Sequence, residues 1–155
     1  MGGFFQRGEW ITKEQWESGE DGSFERQVSS FRGWVEDAPG ARFAPEAGRY
    51  HLVVSLACPW AHRVLIARAL RGLEDVVSVS VTHPFMGDDG WSFEPGDGVI
   101  PDPIMGAKDL RELYRRADPE ISGRVTVPIL WDREHDTIVN NESREIMRMF
   151  DTAFG

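Results

Sequence analysis

Cysteine is almost missing from this chain: Cys58 is the one thiol in 155 residues. That excludes a disulfide within the chain. It also argues against a secreted disulfide scaffold and against a cysteine-rich zinc site. Basic residues are scarce, 17 lysines and arginines against 26 acids, for a formal charge of −9. Such a balance speaks against nucleic acid or an anionic membrane as partner, because both want a basic patch. No apolar run approaches the length of a membrane span. The opening "MGGFFQRGEW" lacks the long apolar core of a signal peptide, and its Met-Gly start lacks the serine or threonine of a myristoylation site. The expected compartment is a reducing cytoplasm.

What is present is ordinary for one soluble domain: 41% hydrophobic and 28% charged residues. The length suffices to bury a core without staples. Residues 1–48 read as an arm, mostly irregular, with a short helical piece around Phe24 to Val35. Phe24, Phe31 and Trp34 are expected to pin that arm to the body. From residue 49 the patterning sharpens. "RYHLVVSLA" (49–57) reads as a buried strand, a β-branched apolar run bounded by Gly48 and the Cys-Pro pair. "PWAHRVLIARALRG" (59–72) reads as a helix, with Pro59 at the first position, Ala61, Leu65 and Ala69 spaced by four, and Gly72 as the stop.

"VVSVSVTH" (76–83) follows as a second strand. Residues 84–105 form a long excursion rich in proline and glycine, a kind of loop that is usually functional. A helix is expected over 107–118, with Leu110, Leu113 and Tyr114 on one side. Strands follow at 125–131, with Pro128 in the first of them, and at 136–140. A last helix opens at 141, with Asn140 or Asn141 as a plausible N-cap. The order β-α-β-α-β-β-α is that of a thioredoxin-like α/β domain over residues 49–155. Proline is normally expelled from strand interiors. In this topology a proline at that point is implied to be cis and to face an active thiol.

Cys58 therefore falls at the start of a helix. Unpaired backbone N–H groups and the positive end of the helix dipole favour a thiolate there. On spacing alone the residue fits a nucleophile and an inert core thiol about equally. A two-thiol redox site is excluded, because Ala61 stands where a resolving cysteine would be. Any disulfide must therefore form with a separate molecule, and a small thiol such as glutathione is the natural candidate. His62 could tune the thiolate or join a metal site, but reads better as a structural histidine. His51, His83 and His135 are scattered.

Four stretches, "SLACPWAHR", "VTHPFM…GW", "GRVTVPILWD" and "IVNNESREIMRMF", together resemble the glutathionyl-hydroquinone reductases, or Xi-class glutathione transferases. "GSFERQVSSFRGWV" resembles that family's N-terminal arm. Cys-Pro-Trp-Ala is more specific than a bare thioredoxin-like pattern, and Val-Pro followed by Asn-Glu-Ser adds independent weight. The resemblance implies glutathione as co-substrate, with no bound cofactor and no metal, and a glutathionyl-hydroquinone as the molecule reduced. It implies Cys58 as the nucleophile, first forming a mixed disulfide with glutathione that a second glutathione then resolves. It also allows a homodimer in the full-length family.

The same resemblance implies five glutathione contacts. Ser143 and the helix N-terminus would hold the γ-glutamyl carboxylate, and Glu142 its ammonium. Val127 would present its backbone to the cysteinyl part. Arg124 would face the glycyl carboxylate, and Trp91 would lie against the peptide. By residue type alone each has a plainer reading: a first-turn charge, a strand valine, a solvated arginine, a loop anchor.

Family members continue into an all-helical domain whose tyrosines bind the hydroquinone. That domain is expected to be missing here, leaving a partly competent fragment with an exposed apolar face. Neither Tyr50 nor Tyr114 matches those tyrosines. Two further readings stand beside this one: a monothiol glutaredoxin-like or Omega-class thiol transferase, and a non-catalytic interaction module.

Overall fold

A computed structural model of the chain describes residues 3–12 and 31–155. Its centre is a four-stranded sheet in the order β4-β3-β6-β7. Strand β3 (Tyr50–Val54) is buried along its whole length. It pairs in parallel with β4 (Ser78–Val81) and antiparallel with β6 (Ile129–Asp132). A central strand covered on both faces has no use for a polar alternation, which is why Leu52, Val53 and Val54 run together. Strand β7 (Thr137–Asn140) closes the sheet as a hairpin partner of β6.

Helix α1 (Pro59–Leu70) makes the crossover between β3 and β4, with proline in its first turn. It stops where the sequence stops it. Gly72 takes a φ of +66°, its N–H bonds Ala69 O at 3.1 Å, and Leu73 N–H bonds Arg68 O at 2.9 Å. That pair of bonds is a Schellman cap. The buried positions of α1 are Ala61 and Val64. Leu65 is half-buried, but Ala69 is exposed, so the apolar stripe is shorter than the spacing suggests.

Helix α2 (Leu110–Ala117) buries Leu110, Leu113 and Tyr114, and the Asp109 side chain caps it by accepting from Arg111 N–H. Helix α3 (Ser143–Thr152) packs against α1 and buries Ile146, Met149 and Phe150. The order from β3 onward is thioredoxin-like, as the patterning implies. Pro128 differs from expectation in one respect. It lies just before β6 rather than within it, because a residue with no N–H cannot join the ladder.

The arm holds an element that its composition did not announce. Strands β1 (Gly3–Gln6) and β2 (Glu9–Thr12) form a hairpin, and β1 also pairs with the two-residue β5 (Gly123–Arg124). The turn places both Arg7 and Gly8 at positive φ, 50° and 83°. Such turns usually carry Asn-Gly or Asp-Gly. Here tertiary bonds hold the turn: Arg7 N–H to Ser122 Oγ at 2.9 Å and Gly8 N–H to Ile121 O at 2.8 Å. The helix expected around Phe24 lies outside the described residues up to residue 30, and from Phe31 the chain is not helical. Phe31 and Trp34 are half-buried against the core, while Arg32 and Val35 bridge to Asn140 and Phe43.

Candidate glutathione site

Three chain segments converge beside the start of α1. The first is the strand-to-helix turn at Cys58. Its backbone is extended (φ −102°, ψ 116°), its N–H bonds Ser55 O at 3.2 Å, and its C=O accepts the first intrahelical bond, from His62 N–H at 3.0 Å. Cys58 is thus the N-cap of α1, half-buried, with no side-chain capping bond and no acidic residue in the first turn. The first-turn N–H groups and the helix dipole are therefore not offset by a local carboxylate.

The second segment is the loop into β6. The Val127–Pro128 peptide is cis, and the carbonyl oxygen of Val127 lies 4.0 Å from Cys58 Sγ. Val127 is buried. Its neighbour Thr126 is gripped by the Tyr114 hydroxyl, which donates to Thr126 O at 2.8 Å and accepts from Thr126 N–H at 3.1 Å. Burial pushes the Tyr114 phenol up, so it stays a neutral donor.

The third segment is the start of α3. Glu142 is the N-cap, rather than Asn140 or Asn141, and its side chain makes no capping bond. The two asparagines serve as ties instead. Asn140 Oδ1 accepts from Glu142 N–H at 2.6 Å, and its Nδ2 reaches Gly33 O at 2.9 Å. Asn141 Nδ2 donates to the Tyr114 hydroxyl at 3.1 Å, and its Oδ1 accepts from Phe31 N–H at 3.2 Å. Glu145 in the first turn is held below the usual carboxylate range by the hydrogen-bonding Arg32 guanidinium. Ser143, buried at the first position of α3, receives two bonds from Arg63, Nε at 3.0 Å and Nη2 at 2.6 Å.

Cys58, Val127, Glu142 and Ser143 thus stand on segments that the structure ties together. The other two predicted residues stand on separate elements. Trp91 is half-buried against the core, and its carbonyl accepts from Leu110 N–H at 3.1 Å, at the entry to α2. Arg124 is exposed on β5, opposite Phe4 of the hairpin. His62 is exposed. Among the described residues no group of His, Cys, Asp and Glu could hold a metal ion. Nor is any helix among them long and apolar enough to cross a membrane.

Sequence reasoning missed two residues here. Tyr114 shares the apolar side of its helix in the sequence pattern, but no site role is read there for its hydroxyl, which joins Thr126 to Asn141. Arg63 closes the quoted stretch "SLACPWAHR", five residues after Cys58, but is given no role there.

The chain is similar to known proteins. The glutathionyl-hydroquinone reductase PcpF of Sphingobium chlorophenolicum is 53% identical over 133 residues, covering 86% of this chain and 41% of the relative. The glutathionyl-hydroquinone reductase YqjG of Escherichia coli is 53% identical over 140 residues, covering 86% of this chain and 43% of its own length. The chain therefore spans about two fifths of these curated relatives. Among solved structures, a Xi-class transferase from Natrialba magadii superposes with a TM-score of 0.88 at 56% identity, over 98% of this chain and 45% of that one. The glutathione-bound structure of the Escherichia coli relative gives a TM-score of 0.83 at 46% identity, over 98% of this chain and 46% of its own. Residues 57–153 match the family model for the glutathione S-transferase N-terminal domain, and the chain belongs to the glutathione S-transferase family.

Proposed function

We propose that residues 49–155 form the glutathione-binding domain of a glutathione-dependent reductase whose substrate is a glutathionyl-hydroquinone. The observation that carries this is the setting of Cys58, a lone thiol at a helix N-cap, 4.0 Å from the carbonyl before a cis proline. The names of the relatives, both glutathionyl-hydroquinone reductases, support the substrate class. Cys58 thiolate attacks the sulfur of the glutathionyl thioether. A sulfur–sulfur bond forms, the carbon–sulfur bond breaks, and its electron pair with one proton completes the hydroquinone ring C–H. A second glutathione, as its thiolate, then attacks the Cys58–glutathione disulfide. Cys58 leaves as thiolate and oxidised glutathione departs. The net change oxidises two glutathionyl sulfurs and reduces one ring carbon.

Ser143 and the α3 N-terminus would take the γ-glutamyl carboxylate and Glu142 its ammonium. Val127 would offer its backbone to the cysteinyl part, Arg124 its charge to the glycyl carboxylate, and Trp91 its ring to the peptide. Tyr50 and Tyr114 are both buried, with hydroxyls spent on Ala44 O and on Thr126. The reducing cytoplasm would supply the glutathione.

Mass spectrometry after exposure to oxidised glutathione tests the reading. One glutathione adduct at Cys58, lost in Cys58→Ser, is expected. An unmodified wild-type chain would sink it in favour of a non-catalytic module. Turnover of a glutathionyl-hydroquinone against a simple mixed disulfide then separates the reductase from a general thiol transferase.

A further inference from the structure

We propose that Arg63 is a positioning residue that fixes the Ser143 hydroxyl as a hydrogen-bond donor for the γ-glutamyl carboxylate. This rests on the glutathione reading above and adds the device that makes Ser143 selective for an anion. A serine hydroxyl has two acceptor lone pairs and one proton. Arg63 brings two N–H donors to that one oxygen, Nε at 3.0 Å and Nη2 at 2.6 Å. With both lone pairs engaged, the only capacity left on Ser143 is its O–H. The hydroxyl rotor is set before any ligand arrives, pointing away from Arg63 as a donor. A neutral serine could face an acceptor or a donor, but this one is committed to an acceptor.

The guanidinium is itself fixed. Its Cζ lies 5.0 Å from the centre of the Trp60 ring, a cation–π contact from the same helix as Cys58. Arg63 thus holds Ser143 with its donors and Trp60 with its face. Its charge therefore stands next to the Ser143 oxygen. Ser143 is the first residue of α3, so the arginine, the hydroxyl and the helix N-terminus add at one point. A ligand carboxylate there completes a charge-assisted set. Arg63 also ties the start of α3 to the helix that carries Cys58, so the anchor for the glutamyl end keeps a set distance from the reacting sulfur.

The test uses the 155-residue chain and two unreactive probes: S-methylglutathione, and its analogue with the γ-glutamyl α-carboxylate converted to a carboxamide. Calorimetry on the wild type is expected to favour the acid by about tenfold or more, the range of one charge-assisted hydrogen bond. Arg63→Ala is expected to bring the preference to within about threefold, the acid losing clearly more affinity than the carboxamide. Arg63→Lys keeps the charge but not the fork, so it should recover only part of the preference, and it carries the same comparison should the alanine variant not fold. Equal losses for both probes would mean a merely structural arginine and would overturn the proposal. So would a preference unchanged from wild type in either variant. A wild type that binds neither probe would overturn the glutathione reading along with it.

Discussion

Replacing Tyr114 with phenylalanine keeps the ring in the core and removes a single oxygen. That oxygen donates to Thr126 O at 2.8 Å and accepts from Thr126 N–H and Asn141 Nδ2, both at 3.1 Å. A net intramolecular hydrogen bond contributes about 1 kcal/mol, and a buried group left without a partner costs about 1–3 kcal/mol. Asn141 is buried, but Thr126 is half-exposed and water can recover part of its loss. The sum for Tyr114→Phe is about 2–3 kcal/mol. For a chain of this size each kcal/mol moves the thermal midpoint by roughly 2–4 °C, so Tm should fall by about 5–10 °C. Thermal unfolding followed by circular dichroism reads it directly. The effect should not stop at stability, because Thr126 precedes Val127 and Asn141 precedes Glu142 and Ser143. Glutathione binding measured below the transition should weaken as well. A Tm drop under about 1 °C with unchanged binding would refute the idea that the hydroxyl holds the two segments in place.

Other perturbations follow from the same contacts. Asp132 is fully buried and meets Arg49 through two bonds, 2.8 and 3.0 Å; Asp132→Asn should destabilise by about 3–5 kcal/mol, read from the urea midpoint. Burial alone would raise the Asp132 carboxyl, but hydrogen bonds from Arg49 and His135 outweigh it and leave it below its ordinary value. Its contribution is therefore complete above the unfolded pKa and lost as pH falls below about 4, a slope that Asp132→Asn should flatten. His51 runs the other way among the cations: burial, with Arg133 adding to it, lowers its pKa to about 4, and its ring nitrogens meet Ser78 Oγ and Ser80 Oγ at 2.6 and 2.5 Å. The unfolded chain takes up that proton near pH 6.5, so stability should fall between about pH 6.5 and 4, and less steeply in His51→Gln. Trp60, Ile66 and Leu70 leave an apolar face of α1 58%, 46% and 81% exposed; Ile66→Glu with Leu70→Glu should reduce self-association in sedimentation.

The parts of the fold that could be read directly are those whose causes are local. Strand β3 announces itself because a strand covered on both faces needs an unbroken apolar run. Helix α1 does so because Pro59 and Gly72 are chemically suited to its two ends. The β1–β2 hairpin could not be read this way. Its Arg-Gly turn lacks the usual residues, and the bonds that stabilise it come from Ser122 and Ile121, more than a hundred positions away. Asn140 and Asn141 sit near a helix start, as N-caps do. Their amides serve the returning arm and Tyr114 instead, a competition that only the tertiary structure decides.

The candidate site divides along the same line, and the division has a physical basis. The features that would make Cys58 a reactive centre are carried within a few residues: the strand end, the proline and the start of the helix. Those that would seat a tripeptide against it are not. Ser143 alone could be a donor, an acceptor or a simple cap, and nothing near it in the chain chooses among these. On the proposed reading Arg63, 80 positions earlier, makes the choice by donating twice to its oxygen. The cysteine would then supply the chemistry from its own helix, and the ligand's orientation would be set where α1, the Pro128 loop and α3 meet. Substitutions at Tyr114 or Arg63 should therefore weaken binding while leaving the thiol chemistry of Cys58 toward small, unspecific disulfides intact.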